Sequence, residues 1–216
     1  MEKAIALGTI EEVGSINRTE RRDAAANRAR ILETAEKLFA RHGAAAVSMA
    51  DIAQAADVGK GTLYRRFANK GELCLALLDS QMMEFQNNML ARMQQMAAEG
   101  IPRLEQLEQF LDALVYFTDI HIPLLSEVER EGLLQDVGGS LQFPHFWQHM
   151  TVSGLLKAAA ANGELVPELD TDYLADAILS PLKADIFRFQ RVVRGFSLER
   201  ISAGLRLLVA GLAYVE

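Results

Sequence analysis

The sequence predicts an all-α protein: an N-terminal three-helix head containing a helix-turn-helix, followed by a helical body, with about nine helices in total. Two observations carry this. Apolar residues recur at steps of three and four along nearly every segment, and the β-branched clusters and tight hairpin turns of a sheet protein are largely missing. The one Asn-Gly pair, Asn162-Gly163, follows an alanine-rich helical run and reads as a helix cap.

Residues 1 to 20 lack periodicity and read as a flexible tail. A first helix is expected from Asp23 to His42, with Ile31, Ala35, Leu38 and Phe39 inward and Gly43 at the left-handed cap. Ser48-Met49-Ala50-Asp51 opens a second, short helix as a capping box. The turn is Ala56 to Gly59, and a third helix, Lys60 to Phe67, buries Leu63 and Phe67. A long fourth helix follows from Lys70 to Glu99. Its Leu78, Met82, Phe85, Met89, Met93 and Met96 make one stripe at helical period. Further helices are expected at 103–119, 123–135, 142–161, 171–193 and 198–215. Pro123 and Pro144 suit first turns, and Pro181 kinks the eighth helix. Domain boundaries follow at 1–20 for the tail, 21–68 for the head and 69–216 for the body.

Charge is split unevenly. The net charge of -7 argues against a polyanion partner, but residues 18 to 70 hold 11 Lys and Arg against 6 Asp and Glu. A basic head on an acidic body confines any phosphate contact to the head. The single Cys74 excludes an internal disulfide and suits a reducing cytoplasm. No apolar run is long enough to span a bilayer, and the N-terminus does not read as a signal peptide. A soluble cytoplasmic protein without membrane contact is therefore expected.

In a helix-turn-helix the second helix lies along the DNA major groove. Lys60 then sits at its N-terminal end, Gly61 allows close backbone approach, and Thr62 offers a methyl and a hydroxyl at base-edge height. Tyr64, Arg65 and Arg66 reach phosphates or guanine edges. Lys70 serves a flanking phosphate, and Ser48 offers its hydroxyl and N–H to another. The competing interpretation is a helical hairpin whose basic residues are merely solvated.

The stretch resembles the TetR family of bacterial regulators. The matching residues are Ile31-Leu32, Ala35, Leu38-Phe39 and Gly43, then Ile52-Ala53, Ala56, Val58, Gly61-Thr62-Leu63-Tyr64, Phe67, Lys70 and Leu73. It departs at Gly59, where many members carry a serine that caps the recognition helix. The resemblance implies DNA contacts at Ser48, Lys60, Gly61, Thr62, Tyr64, Arg65 and Lys70, with Arg66 added from its position alone. It also implies a dimer on a palindromic double-stranded operator, a body that binds a small-molecule effector, and repression relieved when the effector shifts helix four. An effector-independent DNA binder or activator is the alternative.

The expected effector is hydrophobic or aromatic, met by Met82, Phe85, Met89, Phe110, Tyr116, Phe117, His121, His145, Trp147 and His149. Most of these also suit a plain helical core. His145 and His149, spaced i and i+4, could hold a metal with His121, Glu127 or Glu131 as third ligand, but no complete ligand motif supports a metal-dependent protein. No enzyme, cofactor or metal is expected. Dimer contacts are expected at Leu174, Ile178, Leu182 and Ile186, then Ile201, Leu205, Leu208 and Leu212, which in related proteins pair with their copies in a four-helix interface.

Overall fold

The computed structural model describes residues 10–133, 142–166 and 168–214, with side chains from residue 24 onward except 142–145. Among the described residues there are nine α-helices: α1 (Ile10–His42), α2 (Met49–Ala55), α3 (Lys60–Arg66), α4 (Lys70–Ala98), α5 (Arg103–Arg130), α6 (Gln142–Ala161), α7 (Thr171–Leu179), α8 (Ala184–Arg188) and α9 (Leu198–Ala210). The chain divides into two compact units, Met1–Leu73 and Cys74–Glu216. None of these helices is long and apolar enough to cross a membrane.

In the first unit, Ile31, Leu32, Ala35 and Phe39 of α1 are buried with Ile52 and Ala53 of α2 and Leu63 of α3. Gly43 adopts φ +79°, which favours glycine, and its N–H returns to Phe39 O at 2.8 Å at the end of α1. Residues 10–20, expected in an aperiodic tail, are part of α1.

The second unit is built around α5, whose Leu107, Phe110, Leu111, Leu114 and Val115 are fully buried. It packs against α6, α8 and α9. Two helices expected at 103–119 and 123–135 are here one, with Pro123 inside it. A proline costs about 3 kcal/mol in a helix interior. Burial of His121 just before the proline and of Leu124 and Val128 after it opposes that cost and keeps the helix running.

At Pro181 the outcome is reversed. The single helix expected at 171–193 breaks into α7, a 3₁₀ turn (Ser180–Leu182), α8 and a π-helical turn (Phe189–Val193). The Gln190 side chain donates to Pro181 O at 3.1 Å, and Ser180 Oγ donates to Asp176 O at 2.8 Å. The break is thus satisfied by side chains, and α7 can end without orphaned carbonyls at these two positions.

Helix α9 stops at Ala210, short of the expected 215, because the chain turns to pair with residues 164–166. Val166 N–H donates to Leu212 O and Tyr214 N–H to Glu164 O. This places the Glu164 carboxylate at the start of α5, where it accepts from Arg103 N at 3.0 Å and Leu104 N at 2.9 Å. Pro102, the residue before α5, supplies no side-chain cap, so Glu164 provides it from 60 residues away in sequence. Partial burial pushes the Glu164 carboxyl up. The Leu104 and Arg103 N–H bonds, the Asn162 amide and the Arg103 charge outweigh that and hold it below its usual range.

Replacing Glu164 with Ala is expected to cost about 1–2 kcal/mol at pH 7. Because its folded-state carboxyl is depressed, the contribution is present above the unfolded value and lost as pH falls through the folded one. Denaturant unfolding of both proteins at pH 7 and below about pH 4 checks this: their difference should shrink in acid.

Candidate nucleic-acid interface

Helix α2 is held by a complete capping box. Ser48 Oγ accepts from Asp51 N–H, while Ser48 N–H and Ser48 Oγ–H both donate to Asp51 Oδ2, at 2.9 and 2.6 Å. The hydroxyl, and then the backbone N–H, of Ser48 hold the Asp51 carboxyl below its usual range. The chain leaves α2 through Asp57, which sits at φ +49°, and Val58 N–H returns to Ala53 O at 3.0 Å. Arg30 reaches the Asp57 carbonyl at 3.5 Å, tying α1 to this corner.

Helix α3 then runs with Leu63 buried and Lys60, Gly61, Tyr64, Arg65 and Arg66 exposed; Thr62 is half-buried. Arg65 Nη2 donates to Thr62 Oγ1 at 3.3 Å, so the hydroxyl and guanidinium stand together on one side of the helix. Its first turn carries no side-chain cap, since Gly59 is the cap residue. The Arg28 guanidinium covers the Phe67 ring at 5.7 Å where the helix ends. Six of the eight residues expected to meet DNA are therefore brought onto one seven-residue helix.

The other two lie outside that helix, and their side chains have partners within the chain. Both hydrogen-bond donors of Ser48 are committed to Asp51, so neither is open for a phosphate in this geometry. Lys70 is 7% exposed, with its ammonium 5.8 Å from the Phe39 ring; its stem is folded into the head in place of an open phosphate contact. A sequence pattern marks a cap or a cation but not the direction in which its donors are used.

Gly61 is informative by what surrounds it. It lies inside a helix, is exposed, and a β-carbon built on it would meet no heavy atom within 4 Å. Nothing within the described chain requires glycine there, although glycine costs a helix about 1 kcal/mol against alanine.

The second unit contains a cavity of about 110 Å³. Leu75, Leu78, Asp79 and Met82 of α4 line it with Phe117, Thr118, His121 and Leu125 of α5, Gln148 of α6 and Leu182. Of the ten residues expected to meet an effector, Met82, Phe117 and His121 line it. Phe85, Met89, Phe110 and Trp147 instead belong to the core or pack on it: Phe85 lies 4.4 Å from Phe117, and Trp147 is edge-on to Phe110 at 5.6 Å. Tyr116 is exposed and does not line the cavity, and the side chain of His145 lies outside the described residues.

His121 is not an open polar contact. Its Nδ1–H donates to Phe117 O at 2.5 Å, its Nε2 lies 2.8 Å from the Gln81 amide oxygen, and its ring stacks on Phe117 at 4.0 Å. His149 Nδ1 lies 2.9 Å from Asp176 Oδ1. Among the described residues no group of three His, Cys, Asp or Glu is placed to hold a metal ion. Asp79, Thr118 and Gln148 are the polar lining that sequence reasoning missed; Asp79 follows Leu78 of the apolar stripe, and that adjacency was the only signal.

Ile178, Leu182, Ile201 and Leu205, expected in a dimer contact, are buried within the unit's own core, with Leu174 and Leu212 packed on it. Only Ile186 and Leu208 of that set are exposed. Other exposed apolar residues of this region are Phe189, Val192, Val193 and Leu207, with Val192 at 75% and Leu207 at 74% exposure. Helical periodicity marked one apolar face here, and most of that face is turned into the unit's own core.

One prediction concerns the turn. Left-handed backbone at Asp57 costs an ordinary L residue about 1–2 kcal/mol and glycine nothing. Asp57→Gly is expected to raise the thermal midpoint of the head, and Asp57→Val to lower it, as read by circular dichroism melts.

Comparison with known proteins agrees with this geometry. Residues 31–77 match the family model described as bacterial regulatory proteins, tetR family. An HTH-type transcriptional regulator of Staphylococcus aureus (strain MRSA252) is 28% identical over 179 residues, covering 83% of this chain and 90% of its own. A TetR-family transcriptional regulator from Pectobacterium atrosepticum superposes with a TM-score of 0.66 at 23% identity, covering 90% of this chain and 98% of its own. A putative transcriptional regulator from Saccharomonospora viridis, solved with choline, gives 0.68 at 20% identity over 88% and 100%. Thermus thermophilus FadR, described as a TetR-family repressor in complex with lauroyl-CoA, gives 0.62 at 22% over 88% and 96%. Residues 31–77 thus match the tetR family model, and over most of its length the chain is similar to HTH-type transcriptional regulators and shares the fold of a TetR-family regulator.

Proposed function

We propose that the chain is a dimeric repressor that binds a palindromic operator through α3 and is released by a small effector held in the second unit. Gly61 carries the DNA reading. An exposed helical glycine with no internal neighbour, flanked by Lys60, Tyr64, Arg65 and Arg66, is accounted for by a ligand that comes close to the backbone. A basic head on an acidic body supports the same reading.

Dimerisation follows from the operator. Two recognition helices about 34 Å apart match one turn of DNA. The exposed Phe189, Val192, Val193, Leu207 and Leu208 supply the apolar surface that a symmetric partner would cover. For effector response, the continuity of α4 is the support: its first turn belongs to the head unit, and Leu75, Leu78, Asp79 and Met82 on the same helix line the cavity. Two structural neighbours were solved with choline and with lauroyl-CoA, and the second is described as a repressor. On this reading residues 21–68 are the DNA-binding domain, 69–216 the effector and dimer domain, and the protein is cytoplasmic and not an enzyme.

Gly61→Ala is expected to raise stability by up to about 1 kcal/mol while weakening operator binding. Lys60→Ala is expected to weaken binding at least about tenfold without changing helicity. Anisotropy titrations on fragments of the adjoining upstream DNA at two salt concentrations, with denaturation of each variant, check both. Retained affinity in both variants would remove α3 from the interface. Val192→Glu with Leu207→Glu is expected to yield a folded monomer by light scattering; an unchanged dimer mass would place the interface elsewhere.

A further inference from the structure

The head carries cations beyond those of α3, and their surroundings differ. Lys37 is paired with Glu33 at 2.6 Å, and Lys70 lies buried over the Phe39 ring. Arg28 and Arg30 of α1 are exposed, and neither meets a carboxylate among the described residues. Two positions apart on a helix, they leave α1 on opposite sides, about 200° from one another. Each is held at a different end of α3. The Arg28 guanidinium lies over Phe67, the residue that follows α3, at 5.7 Å. Arg30 Nη2 donates to the Asn27 side chain at 3.0 Å and to the carbonyl of Asp57, two residues before the Gly59 cap, at 3.5 Å. A ring face, an amide and a carbonyl restrain a guanidinium without cancelling its charge.

We propose that Arg28 and Arg30 are further DNA contacts, each meeting a phosphate of the duplex backbone beside the groove that α3 enters. The inference rests on the DNA reading above and extends the interface from α3 to α1. Phosphates border a major groove about 12 Å wide. A seven-residue helix lying in it is about 10 Å long, so groups held at its two ends stand on the scale of that border. A planar guanidinium with donors to spare binds a phosphate through paired N–H groups, and one already held in place loses less freedom in doing so. Because both arginines stand beside α3 and not on it, they fix the head on the duplex without reading bases. Arg41 supplies the contrast. It is exposed on the same helix but lies about 16 Å beyond Arg30, more than the screening length of about 10 Å at 0.1 M salt.

The test uses the full-length protein, a fragment of the adjoining upstream DNA and a mixed-sequence duplex of equal length, titrated by anisotropy over a salt series. Each phosphate contact adds about 0.9 to the fall of log K with log salt. Arg28→Gln and Arg30→Gln keep a polar stem and remove the charge. Each should flatten the slope by about 0.9 per bound protomer and weaken binding about threefold or more at 0.1 M salt, on both duplexes alike. Arg28→Lys and Arg30→Lys keep the charge and should keep the slope, and Arg41→Gln should alter neither slope nor affinity. A role confined to shaping the head gives the opposite split, with weaker binding in the Gln and Lys variants and the slope untouched. A Gln variant that does not fold by circular dichroism is replaced by Met, which also removes the charge. An unchanged slope in either charge-removed variant overturns the assignment of that residue. An equal loss in Arg41→Gln, a flattened slope in the Lys variants, or a loss confined to the upstream fragment would each overturn the proposal. No binding of the unaltered protein to either duplex at low salt would overturn the DNA reading itself, whereas binding with all slopes equal would overturn only this assignment.

Discussion

A seven-residue helix does not hold its shape in water by hydrogen bonding alone, because nucleation is costly and too few bonds follow. Helix α3 therefore depends on burial of Leu63 inside it and Phe67 just beyond it, in the small core formed with α1 and α2. Everything the head presents outward follows from that anchoring. With Leu63 turned in, Lys60, Gly61, Tyr64 and Arg65 are turned out, and their spacing is a property of the core.

The corner that delivers α3 is built from polar interactions that compete with function. Ser48 and Asp51 satisfy one another, with both Ser48 donors on the Asp51 carboxylate. Lys70 likewise lies over Phe39. Both residues stabilise the frame on which the exposed cations stand. Positioning and exposure are thus divided between neighbouring residues of one motif.

The second unit follows a different logic. Its α5 survives an internal proline because its inward face is buried, while α7 ends at Pro181 because side chains of Ser180 and Gln190 meet the freed carbonyls there. The same residue type has opposite outcomes under different packing. Aromatic residues divide similarly: Phe110 fills the core, whereas Phe117, seven positions along the same face, reaches the cavity.

The sequence by itself determined the all-α class, the helix-turn-helix, the burial of Leu63 and Phe67 and the outward set on α3. These depend on local periodicity and capping, which are written in residues three or four apart. Tertiary structure decided what periodicity leaves ambiguous. It chose which of two apolar faces turns inward, so that Ile178, Ile201 and Leu205 entered the core and Val192 and Leu207 stayed out. It also directed hydrogen bonds across long separations, as from the N–H groups at the start of α5 to the Glu164 carboxylate. Burial and hydrogen-bond direction depend on neighbours distant in the chain, and no local pattern records them.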